Sequence, residues 1–123
     1  MYSSQLLDHF QNPRNAGDLP DADAVAEIEN PVCGDVIRLG LRVIDGTIVD
    51  ARFKAKGCVP AIACGSALTE LIVGKTPGQI SPLTWKDVAA AVGGVPQAST
   101  HAAQLAVDVL AAALGKLRYE PCP

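Results

Sequence analysis

The feature that most constrains this fold is a pair of alternating segments on either side of Asp45-Gly46. Residues 36–44 and residues 47–55 both place an apolar side chain at every second position. Period-two alternation is typical of half-buried strands, and Asp-Gly between two such segments favours a hairpin. We therefore predict two antiparallel strands that are joined at this point.

The charge pattern helps to choose the register of this hairpin. A two-residue turn at Asp45-Gly46 would place Leu41 opposite Asp50, so that apolar and charged side chains would share one sheet face. A loop one residue longer would pair Leu41 with Val49 and put the glycine where φ is positive. We predict the three-residue loop.

Extended to the open end of the hairpin, this register sets Asp35 opposite Ala55 and Cys33 opposite Gly57, next to Cys58. Cross-strand Cβ atoms lie about 4.5–5.5 Å apart. The two cysteines are therefore expected to meet at one end of the sheet. If the strand continues that far, Cys33 and Asp35 face its covered side.

The rest of the chain predicts a third strand and several helices. Strands precede most of the helices, so we expect an α+β fold, with a small three-stranded antiparallel sheet and helices packed on one face. The segment 76–82 is expected to be a turn-rich connection. We predict a strand over 25–29 and helices over 3–11, 60–73, 84–92 and from 99 or 100 to 114.

Composition excludes several classes of function. The chain has 123 residues, 49% of them hydrophobic, which fits a single domain over 1–123 with a buried core. A net charge of −3 without a basic cluster argues against nucleic-acid partners. No apolar run approaches the roughly 20 residues of a membrane helix. The N-terminus lacks the pattern of a secretory signal, so we expect a cytoplasmic protein.

Four cysteines are the first chemical clue: Cys33, Cys58, Cys64 and Cys122. In a reducing compartment, thiols that come together more often bind metals or react than form structural disulfides. Cys58 directly precedes a predicted helix, whose dipole favours the thiolate. The alternative for each cysteine is a small buried packing residue, and for Cys122 it is a free thiol near the chain end.

Two further side chains complete a candidate metal site. Asp35 follows Cys33 by two residues, so both side chains point the same way in an extended chain. His101 lies in the first turn of the last predicted helix, where the dipole favours a neutral imidazole. Thiolates with imidazole suit zinc or an iron–sulfur centre. The alternatives are a turn residue for Asp35 and a helix-cap residue for His101, whereas His9 is interpreted as a surface or packing residue.

Three motifs occur in order along the chain. Residues 8–17 read DHFQNPRNAG, residues 30–36 read NPVCGDV, and residues 51–63 read ARFKAKGCVPAIA. Together they resemble the U-type iron–sulfur cluster assembly scaffolds, that is, NifU N-terminal, IscU and SufU-like proteins. The resemblance covers nearly the whole chain.

The resemblance implies a function and a set of ligands. Such scaffolds receive sulfur as persulfide from a cysteine desulfurase, take up iron and hold a transient [2Fe–2S] cluster, which they pass to apo-proteins. They also carry zinc when no cluster is present. By position, Cys33, Asp35 and Cys58 match family ligands, and His101 matches the histidine that precedes the third family cysteine.

The sequence departs from the family at three places. Ala102 replaces the third cysteine, the position at which family members are thought to accept sulfur. Cys64 lies where the family usually has serine, and it is the candidate substitute ligand or sulfur carrier. Residues 95–99 retain only Pro96 of the Leu-Pro-Pro-Val-Lys motif, which argues against recognition by the chaperone pair of the IscU branch. The branch, IscU or SufU, stays open.

Two other functions remain open at this point. The loss of the third cysteine is compatible with a zinc-bound or persulfide-carrying sulfur-transfer protein that no longer holds a stable cluster. A redox enzyme that uses a Cys58–Cys64 dithiol is less favoured, because six residues across a helix start is an awkward spacing.

Overall fold

The structure, a computed structural model, describes residues 2–31 and 33–117. It confirms the predicted α+β class with a three-stranded antiparallel sheet in the order β1-β2-β3. The described elements are α1 (Ser4–Gln11), β1 (Ala24–Glu29), β2 (Val36–Ile44), β3 (Thr47–Lys56), α2 (Val59–Ile72), α3 (Pro77–Ile80), α4 (Trp85–Ala91), a 3₁₀ turn (Gln97–Ser99) and α5 (Thr100–Lys116).

The β2–β3 hairpin turns through two residues, so the predicted three-residue loop is wrong. Ile44 pairs with Thr47 across the turn. The two residues between them, Asp45 and Gly46, have φ of 53° and 78°. Positive φ at both central positions is the geometry of a type I′ turn, whose twist matches that of the flanking strands.

A β-bulge restores the agreement between the two faces of the hairpin. The register shifts just beyond the turn, Val49 is the extra residue, and Leu41 pairs with Ala51 rather than with Val49 as predicted. Val49, expected to point inward, is 42% exposed, and Ile48 is fully buried in its place. The bulge therefore places the apolar side chains of both strands on the same sheet face, which is the effect that was predicted for a three-residue loop.

The core lies between one face of the sheet and helices α2 and α5, and α1 and α4 pack against these helices. On the opposite sheet face, Leu19 and Ala22 lie over Gly40. None of the described helices is long and apolar enough to cross a membrane. The largest fully buried side chains include Ile37, Leu39, Leu41, Ile48, Leu68, Ile72, Val88, Val109 and Leu110.

Helix α3 was not predicted and lies within the connection expected to be turn-rich. Its four residues follow Thr76, whose hydroxyl accepts a hydrogen bond from the Gln79 N–H at 3.3 Å. A helix this short has no apolar periodicity that could reveal it. The predicted capping box of α4 is present, with the Thr84 N–H donating to Asp87 at 2.8 Å.

A buried polar cluster holds the loop after α1 against α2. The Ser66 hydroxyl oxygen accepts a hydrogen bond from the Arg14 N–H at 2.8 Å and lies 2.8 Å from Nδ1 of His9. The Asn15 side chain donates to Thr69 Oγ1 at 3.1 Å. Since Ser66 and Thr69 are fully buried and His9 is 8% exposed, these bonds are shielded from water. His9 is therefore a packing residue.

We expect Ser66→Ala to destabilise the fold, because it leaves the Arg14 N–H and the His9 ring nitrogen without their partner. The free energy of unfolding should fall by roughly 1–3 kcal/mol, as measured by urea denaturation. Ser4→Ala, at an exposed hydroxyl that bonds only to a neighbouring side chain, is the matched control and should change little. Equal effects of the two substitutions would show that the cluster does not stabilise the loop.

Stability should also depend on pH through His9. Burial, followed by the positive charge of Arg14, lowers the pKa of His9 below its usual 6.5, and the carboxylates of Glu70 and Asp8 only partly offset this. The unfolded chain binds this proton first as the pH falls, so the contribution is complete above pH 6.5 and decreases below it.

The measurement is urea unfolding at about pH 7.5 and about pH 5.5 for the native chain and for His9→Gln. The native chain should lose more stability between these two pH values than the variant does. An identical loss in both proteins would contradict the assignment to His9.

Candidate metal centre

The loop before β2 is closed by two backbone hydrogen bonds. The Gly34 N–H donates to the Asn30 carbonyl at 2.7 Å, and the Asn30 N–H donates to the Asp35 carbonyl at 2.8 Å. Because this turn interrupts the extended chain, β2 begins only at Val36. The strand therefore does not extend through Cys33 and Asp35, and the condition under which both would face the covered side of the sheet is not met. Cys33 is exposed, whereas Asp35 is only 3% exposed.

The Asp35 carboxylate contacts two other segments of the chain. Its Oδ1 accepts a hydrogen bond from the Cys58 N–H at 3.1 Å, and its Oδ2 accepts one from the Cys58 thiol at 3.0 Å. Nε2 of His101 lies 3.4 Å from Oδ2. The starts of α2 and α5 thus meet at one buried carboxylate.

The observed register explains why Asp35 reaches Cys58. Val36 pairs with Lys56, so Asp35 lies beside Gly57 rather than opposite Ala55 as predicted. A Cβ atom on Gly57 would lie 2.0 Å from Oδ1 of Asp35. The importance of Gly57 was not predicted, although a glycine at the end of a strand, directly before a candidate ligand, was a visible signal.

The structure brings together all four predicted ligand positions, which we call the donor cluster: Cys33, Asp35, Cys58 and His101. One potential ligand atom from each of Cys33, Asp35 and His101 lies within 4.8 Å of the other two. The Cys58 sulfur does not lie within 4.8 Å of all three, and it joins the cluster through its hydrogen bonds to Asp35. Two thiols, one imidazole and one carboxylate form a set that can coordinate a metal ion.

His101 is oriented by the 3₁₀ turn that precedes its helix. It lies in the first turn of α5, as predicted, and its Nδ1 is 3.2 Å from the Ala98 carbonyl oxygen. With Nδ1 donating to that carbonyl, a neutral ring directs the lone pair of Nε2 towards Asp35. A backbone acceptor on the second ring nitrogen is the usual way in which a protein orients a metal-binding histidine.

The protonation of Cys58 differs from the sequence-based expectation. Burial, and next the hydrogen bond to Asp35, raise the pKa of the Cys58 thiol to about 11, so the helix dipole does not yield a thiolate in the metal-free protein. Burial also acts to raise the pKa of Asp35, but hydrogen bonds from Cys58 and Cys33 outweigh it and lower that pKa below its usual value. The proton therefore resides on sulfur and the charge on oxygen.

The remaining sequence candidates are not part of the donor cluster. Cys64 is fully buried in the core, and burial raises the pKa of its thiol to about 12. These properties favour the packing alternative over a role as substitute ligand. Ala102, at the position of the missing cysteine, is also fully buried. Cys122 lies outside the described residues.

Known proteins resemble this chain over most of its length. It is 45% identical over 114 residues to the iron–sulfur cluster assembly scaffold protein IscU 1 of Archaeoglobus fulgidus, with 93% of this chain and 74% of that protein covered. It is 41% identical over 115 residues to IscU of Aquifex aeolicus, with 92% and 73% covered.

The fold also has a solved counterpart. The crystal structure of a NifU-like protein (N-terminal) from Brucella abortus superimposes with a TM-score of 0.77 at 20% identity, covering 94% of this chain and 92% of that one. The sequence profile described as the NifU-like N terminal domain matches residues 1–121. The chain belongs to the NifU-like N-terminal domain family.

Proposed function

We propose that this protein is an iron–sulfur cluster assembly scaffold. It binds iron and a transient [2Fe–2S] cluster at Cys33, Asp35, Cys58 and His101 and transfers the cluster to apo-proteins. The observation that carries the proposal is the convergence of these side chains, from the loop before β2 and the starts of α2 and α5, on one buried carboxylate. The similarity to the iron–sulfur cluster assembly scaffold proteins of Archaeoglobus fulgidus and Aquifex aeolicus supports it.

Each member of the donor cluster has a distinct part in loading. The Cys58 thiol must lose its proton when it binds iron, and the Asp35 carboxylate that accepts its hydrogen bond is placed to receive that proton. His101 offers the lone pair of Nε2. The sulfurs are soft ligands that hold iron, whereas the carboxylate is a harder ligand that exchanges more readily.

Sulfur reaches the cluster as a persulfide from a cysteine desulfurase. Among the described thiols Cys33 is the exposed one, so we assign it the accepting role that the missing third cysteine would otherwise have. The Cys33 sulfur attacks the outer sulfur of the donor persulfide, the donor S–S bond breaks, and the donor cysteine leaves as a thiolate. This transfer needs no external oxidant, whereas conversion of the outer persulfide sulfur to the sulfide of the cluster takes two electrons from an external electron donor, such as a reduced ferredoxin. A reducing cytoplasm keeps these thiols free.

Substitution of Cys58 should abolish cluster binding. After anaerobic reconstitution with iron, sulfide and a desulfurase, the native chain should show the visible charge-transfer bands of a bound cluster. Cys58→Ala should show none and retain iron only at background level, because the variant lacks one of the two thiolates of the donor cluster.

Cys64→Ala is the matched control for this experiment. It removes a thiol from the same helix region, but one buried in the core, and should keep the visible bands while lowering the urea midpoint. If the native chain shows no visible bands and retains no iron, the scaffold function is rejected. Loss of the bands in Cys64→Ala alone would make Cys64 the ligand instead of Cys58.

Asp35→Ala should make the bound cluster longer-lived. The substitution removes the exchangeable oxygen ligand and leaves the sulfurs and the imidazole in place. The half-life of the visible bands in the presence of an apo-ferredoxin or a chelator should rise several-fold. A cluster that decays faster in the variant than in the native chain would contradict this role.

One observation favours a second function. Ala102 leaves the donor cluster with two thiols, an imidazole and a carboxylate, a set that also suits tetrahedral zinc. The alternative is a zinc-bound or persulfide-carrying sulfur-transfer protein. Elemental analysis of the purified protein, before and after reconstitution, separates the two functions, because zinc without iron under every condition would favour the second.

A further inference from the structure

We infer that Gly57 is a positioning residue, because its lack of a side chain leaves the space in which the Asp35 carboxylate contacts Cys58. Through this contact, Gly57 sets how readily the site releases its iron–sulfur cluster. The part of this inference that concerns release depends on the scaffold function proposed above. The part that concerns the Asp35–Cys58 contact does not.

The space beside Gly57 is fully used by Asp35. A Cβ atom at position 57 would lie 2.0 Å from Oδ1, 2.7 Å from Cγ and 3.0 Å from Cα of Asp35. The φ angle of Gly57 is +134°, which residues with a side chain rarely adopt. Backbone conformation and available space thus both require glycine here.

Both oxygens of the carboxylate are held in their observed position by one residue. Oδ1 bonds to the N–H of Cys58, the residue that follows Gly57, and Oδ2 bonds to the sulfur of the same cysteine. Asp35 is 3% exposed, so a displaced carboxylate would have to find new partners or reach water. A methyl group at position 57 therefore separates Asp35 from Cys58 and withdraws its oxygen from the donor cluster.

Gly57→Ala should therefore have the same effect on the site as Asp35→Ala. The glycine itself binds nothing, and its effect passes through the carboxylate. Once the carboxylate has been removed by substitution, the identity of residue 57 should no longer matter for the cargo. A purely structural glycine would instead lower stability without reproducing the effects of Asp35→Ala.

The first experiment uses the metal-free chain and requires no cluster. Iodoacetamide modification of Cys58, followed by mass spectrometry, should be several-fold faster in Gly57→Ala and in Asp35→Ala than in the native chain. Gly17→Ala is the matched control, because Gly17 has a similar φ of +126° but open space around its Cβ position. Its rate should equal the native rate. A native rate in Gly57→Ala would overturn the inference.

The second experiment measures the half-life of the reconstituted cluster in the presence of a chelator. Gly57→Ala should lengthen it as much as Asp35→Ala does, and the double variant Asp35→Ala/Gly57→Ala should match Asp35→Ala alone. If the two substitutions lengthen the half-life additively in the double variant, Gly57 does not act through Asp35. If Gly57→Ala fails to fold by circular dichroism while Gly17→Ala, with a similar φ, folds, a folded double variant supports the steric account and an unfolded one overturns it.

The two experiments also separate this inference from the proposed function. Absence of visible bands in the native chain would reject the scaffold function and, with it, the role of Gly57 in release. The iodoacetamide rates would still decide whether Gly57 positions Asp35. Normal bands with a native half-life in Gly57→Ala would reject the inference and leave the scaffold function intact.

Discussion

A buried carboxylate is costly unless charged or polar donors surround it, and Asp35 obtains its donors from parts of the chain far apart in sequence. The Cys58 backbone and thiol donate from the start of α2 and the Cys33 thiol donates from the adjacent loop, while the imidazole of His101, at the start of α5, lies 3.4 Å from the carboxylate. The two helices that cover the sheet therefore have their N-terminal ends at the same edge of the molecule. The Asp35 carboxylate contacts both helix ends and is itself a potential ligand, so the same contacts stabilise the fold and position the site.

The placement of Asp35 depends on the β-bulge next to the turn, at the opposite end of the hairpin. The two-residue turn alone would have put apolar side chains opposite charged ones, and the extra residue, Val49, corrects this. The same shift sets Val36 opposite Lys56, and hence Gly57 beside Asp35. A bulge near the turn and a glycine at the opposite end of β3 are therefore parts of one register, and the geometry of the site follows from that register.

The sequence predicted the elements and the convergence of the donors well, but not the register. Period-two alternation is a local signal, so the bounds of β2 and β3 could be predicted to within one residue. The inward orientation of Ile48 could not, because its backbone bonds to the segment after α2, accepting from Gly74 at 2.7 Å and donating to Lys75 at 2.9 Å. The protonated state of Cys58 was missed for a similar reason: the dipole of α2 is visible in the sequence, whereas burial and the contact with Asp35 arise only in the fold.

Because position 102 is alanine, the donor cluster contains two sulfur atoms instead of the three of the family pattern. Its side chain packs in the core, so α5 contributes to the cluster only through His101. A site with two sulfurs, one nitrogen and one exchangeable oxygen binds a soft metal less firmly than a site with three sulfurs. Within the proposed function, the departure from the family pattern therefore favours release over retention. The Asp35 carboxylate also favours release, because its hydrogen bond to the Cys58 thiol competes with the bond between Cys58 and the iron of the cluster.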